Sequence, residues 1–260
     1  MADFLDTLAQ SARETIDSGY YETLNATPFT SCISLKQAIQ ETKNAPVITE
    51  IKVASPSAGI IREHIQASLI AESMEKGGAV GLSILTEPKY FYGSLHSLVE
   101  ARRVVQLPIL MKDIILSIAQ LDAASKAGAN AALLIEALFD RGYCDCSVHE
   151  MIAHAHSRAL EVLLETHTAE EFRYAVRTNA DLVGINNRNL ATLQVDLNVT
   201  KEILERNEAE GKVVVSESGI NTAADIVFLR DCGAQAFLIG SAIMSVDNIK
   251  ETIREFVSAL

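Results

Sequence analysis

Charged and amide side chains in this chain collect where short apolar runs end. Glu50 and Lys52 close the first run, Glu87 the second and Lys112-Asp113 the third. The fourth carries Glu136 and the fifth Glu165, while Asn186-Asn187-Arg188 end the sixth and Glu217-Ser218 the seventh. Lysine ammonium and carboxylate groups can act as acid and base, each tuned by burial and neighbouring charge. Glu50 and Lys52 are two residues apart, so an extended strand sends both side chains to the same face. One such pair could equally well be two buried ions that only neutralise each other. Seven strand ends doing it together favour catalysis, because a core built for stability alone avoids collecting desolvated charge.

The elements that position these groups read from the apolar pattern. Eight runs rich in Val, Ile and Leu occur at Pro46–Lys52, Val80–Glu87, Pro108–Asp113, Ala131–Ala137, Glu161–Thr166, Leu182–Asn187, Val213–Ser218 and Ala236–Ser241. They are continuous rather than alternating, as expected of parallel strands buried on both faces. Helical stretches separate them. Ile114–Gly128 carries Ile118, Leu121 and Ala124 at helical spacing. Thr168–Thr178 opens with a Thr168/Glu171 capping-box pattern, and Thr222–Gly233 opens with Thr222 and Asp225 and stops at a glycine. A helix stop of the form Gly-Ala recurs at Gly78, Gly128 and Gly233. Repeated strand–helix units of this kind predict a closed (β/α)8 TIM barrel over 46–260. Residues 1–45, with Phe4, Leu5, Leu8, Ile16, Leu35, Ala38 and Ile39 at helical spacing, predict two or three helices packed on the barrel as one structural domain with it.

In such barrels the strand ends face the working mouth, and the loops after the seventh and eighth strands hold phosphate. Ser218-Gly219-Ile220 and Gly240-Ser241 stand at those two places. Both are also ordinary turn sequences; two pairs, each after the appropriate strand, favour an anion site. The chain has 260 residues, is 48% hydrophobic and carries a net charge of −12. Without a clustered basic patch, that acidity argues against nucleic acid or an anionic membrane as a partner, and not against a small anionic substrate.

The segments Glu50–Ser57, Leu85–Phe91, Leu110–Asp113, Leu164–His167, Gly184–Arg188 and Ser216–Ile220 closely resemble, in order, the strand-end motifs of indole-3-glycerol-phosphate synthases. The resemblance runs from residue 46 to 244, and the N-terminal helical extension is also typical of that family. It implies ring closure, decarboxylation and dehydration of 1-(o-carboxyphenylamino)-1-deoxyribulose 5-phosphate in tryptophan biosynthesis, without a cofactor. By that likeness Lys112 is the acid that protonates the carbonyl, its pKa expected to be lowered by neighbouring cations, and Glu165 is the base. Lys52 binds the anionic substrate and donates a proton during dehydration, the division between the two lysines being left open. Glu50, Asn186, Glu217 and Arg188 position the substrate and tune the lysines. Ser55, Ser57, Ser218, Gly219, Gly240 and Ser241 match phosphate and loop positions, and Phe91 an aromatic against the substrate ring. The other enzymes of the tryptophan pathway are the partners it suggests. Two departures stand out: Val53 where relatives often carry Lys or Arg, and Ile114 where they usually carry Phe, which predicts a weaker KM.

Two competing readings are weaker. A phosphoribosylanthranilate isomerase-like barrel would carry Cys after the first strand and Asp after the fifth, where this chain has Lys52 and Glu165. A non-catalytic phosphate-binding barrel would have no need of the whole charged set. His154 and His156 are two apart on a helix and face away from each other, so they read as a solvated face and not a metal site. His167 lies beside Glu165 and reads as a group behind the site. Cys32, Cys144, Cys146 and Cys232 have neither metal nor redox spacing. With no signal-like N-terminus and no spanning apolar run, the expected location is the cytoplasm.

Overall fold

The computed structural model describes residues 3–24, 33–55, 59–62 and 65–260. Eight parallel strands close into a barrel: β1 Val47–Ile51, β2 Gly81–Leu85, β3 Ile109–Lys112, β4 Ala131–Ile135, β5 Glu161–Thr166, β6 Leu182–Asn186, β7 Val213–Glu217 and β8 Ala236–Ile239. Each pairs with its sequence neighbours, and Val47–Thr49 of β1 pairs with Phe237–Ile239 of β8 to complete the ring. The eight expected runs are these strands. Several ladders end one or two residues before their run does, so Lys52, Glu87 and Asp113 lie in the loops at the mouth.

The helices are α1 Phe4–Asp17, α2 Leu35–Glu41, α3 Ala67–Gly77, α4 Leu95–Arg102, α5 Ile118–Ala127, α6 Glu136–Asp140, α7 Val148–Ser157, α8 Ala169–Ala175, α9 Asn198–Arg206, α10 Ala223–Asp231, α11 Ser241–Met244 and α12 Ile249–Val257. The helix expected from Ile114 starts only at Ile118, capped by a Ser117/Gln120 box. Gln120 explains the delay, because its Oε1 accepts the N–H groups of Leu116 and Ser117 and holds Ile114–Leu116 as a buried loop. Gly78 and Gly128 end their helices with φ of 97° and 91°, a conformation that favours glycine.

Side chains inside the barrel, including Ile48, Leu110, Leu133, Leu163, Val215 and Leu238, form one apolar cluster. A second fills the layer between strands and helices, with Leu82, Met111, Leu164, Val183 and Phe237. The N-terminal helices extend the inner cluster from opposite ends. Leu5 and Leu8 of α1 reach the mouth beside Lys112 and Glu165. Leu35 of α2 packs where Gly81 begins β2, and the N–H groups of Leu35 and Lys36 donate to Glu161 at the start of β5, at 2.7 and 3.1 Å. Ion pairs moor α1: Arg141 reaches Asp3 and Asp6, Arg13 reaches Asp145 and Lys89 reaches Glu14, each at 2.7 Å. Cys144, Cys146 and Cys232 are unbridged. Among the described residues no helix is long and apolar enough to cross a membrane.

Candidate active site

The barrel register brings the ends of β3, β5, β6 and β7 around one ammonium. Lys112 Nζ lies 3.0 Å from Glu165 Oε2 and 2.9 Å from Glu217 Oε2. Asn186, level with Glu217 in the ladder, donates its side-chain N–H to Glu165 Oε1 at 3.0 Å. It also accepts the Arg188 backbone N–H at 2.9 Å, which fixes the start of the following loop. A Cβ at Gly184 would stand against Glu217 Oε1, so glycine here lets Glu217 keep its place beside Lys112. On β1, Lys52 Nζ lies 3.4 Å from Glu50 Oε1. Gly240 makes room for Glu50 as Gly184 does for Glu217.

The electrostatics correct one expectation. The neighbours of Lys112 are carboxylates and not cations. Burial alone would depress its pKa, but Glu165, Glu217 and Glu50 more than offset it and hold the lysine above its ordinary range, as a fixed ammonium. The two carboxylates then diverge. Burial would raise Glu165, yet Lys112 and His167 pull it well below the usual carboxylate range. Burial pushes Glu217 up to about 7, with Lys112 opposing and the Glu165 charge adding to the rise. Glu50 Oε2 and Glu217 Oε1 are buried with no hydrogen-bond partner among the described residues, an arrangement suited to meeting a polar ligand.

Two cavities share these groups. One, of about 360 Å³, is lined by Ser218, Gly219, Asn221, Gly240 and Ser241 along with Lys52, Lys112, Arg188, Glu50 and Glu217. The other, of about 80 Å³, has Leu5, Leu8, Phe91, Ile114, Leu133 and Ile135 as apolar walls and meets the first at Glu50, Lys52, Lys112, Arg188 and Ser218. The polar side has the turn geometry of close backbone approach: Ser218 and Gly219 both have positive φ, 67° and 83°, and a Cβ on Gly219 would strike Val195.

Of the sequence candidates, Glu50, Lys52, Phe91, Lys112, Glu165, Asn186, Arg188, Glu217, Ser218, Gly219, Gly240 and Ser241 therefore converge on one site. Ser55 lies in a two-residue hairpin strand after β1, paired with Gly59, and does not line either cavity. Ser57 lies outside the described residues. Three further charged strand ends are held by the scaffold, although Glu87 and Asp113 also line the smaller cavity. Glu87 accepts the N–H groups of Lys89, Tyr90 and Phe91 and so shapes the loop that presents Phe91. Asp113 accepts from Tyr21 at 3.0 Å and Thr86 at 2.6 Å, tying the N-terminal segment to β3. Glu136 begins α6, buried but lining neither cavity. Sequence reasoning missed the walls: Leu5 and Leu8, far from the strands in sequence, and Leu133 and Ile135, which read as ordinary core. Alternation along β4 carried a signal for the last two, since both point inward near its end. His154 and His156 bind different acids, Asp122 and Asp181, and no cluster of metal-binding side chains occurs among the described residues.

Known proteins bear directly on this geometry. The model of the indole-3-glycerol phosphate synthase family matches residues 7–256. The chain belongs to that family. The synthase of Methanocaldococcus jannaschii is 43% identical over 229 residues, covering 86% of this chain and 83% of that protein. The synthase of Burkholderia vietnamiensis is 37% identical, covering 95% and 96%. Among solved structures, a thiamine phosphate pyrophosphorylase from Pyrococcus furiosus superposes with a TM-score of 0.62 at 16% identity, covering 87% of this chain and 97% of that one, a likeness of fold alone. Of the two departures from the family pattern, Ile114 forms part of the apolar wall, while the Val53 carbonyl accepts N–H groups from Ile61 and Arg62 and so braces the loop after β1.

Proposed function

We propose that this chain is a carbon–carbon lyase that converts 1-(2-carboxyphenylamino)-1-deoxyribulose 5-phosphate to indole-3-glycerol phosphate, the ring-closing step of tryptophan biosynthesis. The observation that carries the reading is the pair of cavities, one polar and one apolar, meeting at Lys112 and Lys52. The substrate has a phosphate at one end, a benzoate ring at the other and a ketone between them. Ser218, Gly219, Gly240 and Ser241 take the phosphate with Lys52; Phe91 and Ile114 flank the ring; Arg188 meets the substrate's anionic groups.

Closure forms a bond from the ring carbon bearing the carboxylate to the carbonyl carbon, and the carbonyl oxygen becomes an alkoxide. Lys112 supplies the proton. A lysine held as an ammonium by two carboxylates is an adequate acid here, because a developing alkoxide is far more basic than an amine. Loss of CO2 returns its electron pair to the ring, so no external electron sink is required. Water then departs, with Lys52 as the proton donor, and Glu165 removes the proton that restores aromaticity. Glu50, Asn186 and Glu217 hold these groups in register. Overall, the substrate and one proton give product, CO2 and water.

We further read the location as cytoplasmic, with neither nucleic acid nor membrane as partner, on the strength of the acidic chain and its phosphorylated substrate. Purified protein mixed with this substrate should generate indole fluorescence. Silence at micromolar enzyme overturns the proposal.

A further inference from the structure

His167 is a buried titratable group that the mechanism above leaves unused, yet it touches the proposed base. Its Nε2 lies 3.2 Å from Glu165 Oε1 and its Nδ1 3.4 Å from Glu171 Oε2, with 12% of the side chain exposed. The local sequence is bent to make this arrangement. Thr168 caps α8 by accepting the Glu171 N–H at 3.2 Å, but Glu171 does not close the capping box. Its carboxylate instead accepts the His167 backbone N–H at 2.8 Å and faces the ring, i,i+4 along the chain. The imidazole thus stands between two carboxylates.

Only one protonation state satisfies both of them. Neither ring nitrogen has hydrogen-bond geometry with a partner among the described residues, so the attraction is one of charge: a neutral imidazole offers it to neither carboxylate, an imidazolium to both. Burial opposes the charged form, but Glu165 and Glu171 outweigh it and push His167 up to about 9. The remaining charged groups around the ring do not reverse this. Asp3, Arg141, Arg188 and Asp196 line with it a third cavity of about 460 Å³, which Glu165 does not reach, and Lys112 lies on the far side of Glu165.

The two oxygens of Glu165 therefore have different partners: Lys112 on Oε2, Asn186 and His167 on Oε1. When Lys112 gives its proton to the substrate oxygen, Oε2 loses its cation. Glu165 must still be ionised and correctly aimed to take the ring-side proton. We propose that His167 is a positioning residue for Glu165, a buried imidazolium clamped by Glu171 that aims the carboxylate and keeps it ionised after Lys112 has handed over its proton. This rests on the ring-closing reaction assigned above.

The test is the pH dependence of kcat, followed by indole fluorescence from about pH 5 to about pH 9. His167→Gln keeps a polar side chain beside Glu165 and removes the charge. The expected result at about pH 6 to 7 is a kcat lowered about tenfold, a KM within about twofold of wild type, and an acid limb moved upward by about one pH unit. Glu171→Gln, which loosens the clamp and leaves the ring in place, moves the same limb in the same direction by less. A merely structural role lowers the melting temperature and scales kcat equally at every pH, with no displaced limb; that result overturns the proposal. Nitrogen-15 NMR of the wild-type enzyme gives an independent readout. Both ring nitrogens of His167, identified by the signals missing in His167→Gln, should be protonated at about pH 7.5, and a neutral ring there overturns it. An inactive wild type would remove the functional reading and this inference together. An active wild type whose acid limb is shared by both variants removes this inference alone.

Discussion

Lys112 is flanked by two carboxylates that carry unequal burdens. Glu165 also has His167 and Asn186, whereas among the described residues Glu217 is bonded to the ammonium and its other oxygen has no hydrogen-bond partner. Replacing Lys112 by Ala, or Glu165 by Gln, should abolish turnover while substrate binding persists, read as kcat by fluorescence and Kd by titration. Either variant retaining above about a tenth of kcat would put its barrier contribution under about 1.4 kcal/mol and refute its role. Glu217 makes a second prediction, because its pKa is raised on folding to about 7. A carboxyl with a raised folded-state pKa binds more protons folded than unfolded, so its contribution to stability falls as pH climbs from the ordinary carboxylate range through about 7. Glu217→Gln removes that penalty. Its melting temperature should match wild type near pH 4 and exceed it by a few degrees at about pH 8, with activity lost. A variant less stable than wild type at the higher pH would show that Glu217 stabilises the ammonium more than its own burial costs.

At the scale of the element, the strands were legible because a two-sided parallel barrel demands runs rich in Val, Ile and Leu. Their ends were only half legible. Glu87, Asp113 and Glu165 look alike in sequence, each closing an apolar run. What separates them is whether a loop or a distant tyrosine satisfies the carboxylate: three N–H groups for Glu87, Tyr21 and Thr86 for Asp113. That is decided by loop paths, on which apolar periodicity has no bearing. The segment after β3 illustrates the point. Good helix formers from Ile114 onward suggest a helix, but Gln120 captures two backbone N–H groups and turns Ile114 into cavity wall. An aliphatic side chain there offers the substrate ring less flat contact than an aromatic one. Ile114→Phe should lower KM about threefold or more with kcat little changed, provided the loop absorbs the larger ring. Unchanged KM and kcat would mean the wall does not touch the substrate.

For the whole molecule, the two ends of the barrel should separate stability from activity. The mouth gathers the charged residues, together with α1 and its three moorings. The opposite end is closed by α2, whose first N–H groups would be orphans without Glu161. Glu161 also accepts from Ser34, the residue that caps the same helix. A closed barrel has no free edge at which to open locally, and the extension grips it from both ends, so residues 1–45 and the barrel should unfold together as one unit. Glu161→Ala tests both ideas. It removes the charge-assisted bonds to Leu35 and Lys36 and should cost roughly 1–3 kcal/mol, seen as one cooperative transition at lower temperature in calorimetry. The same variant, assayed well below that transition, should keep wild-type kcat and KM, because it lies a full strand length from Lys112. A second, earlier transition would show that the extension is a separate unit. A raised KM would show that α2 reaches the mouth through the inner apolar cluster it shares with Leu5 and Leu8.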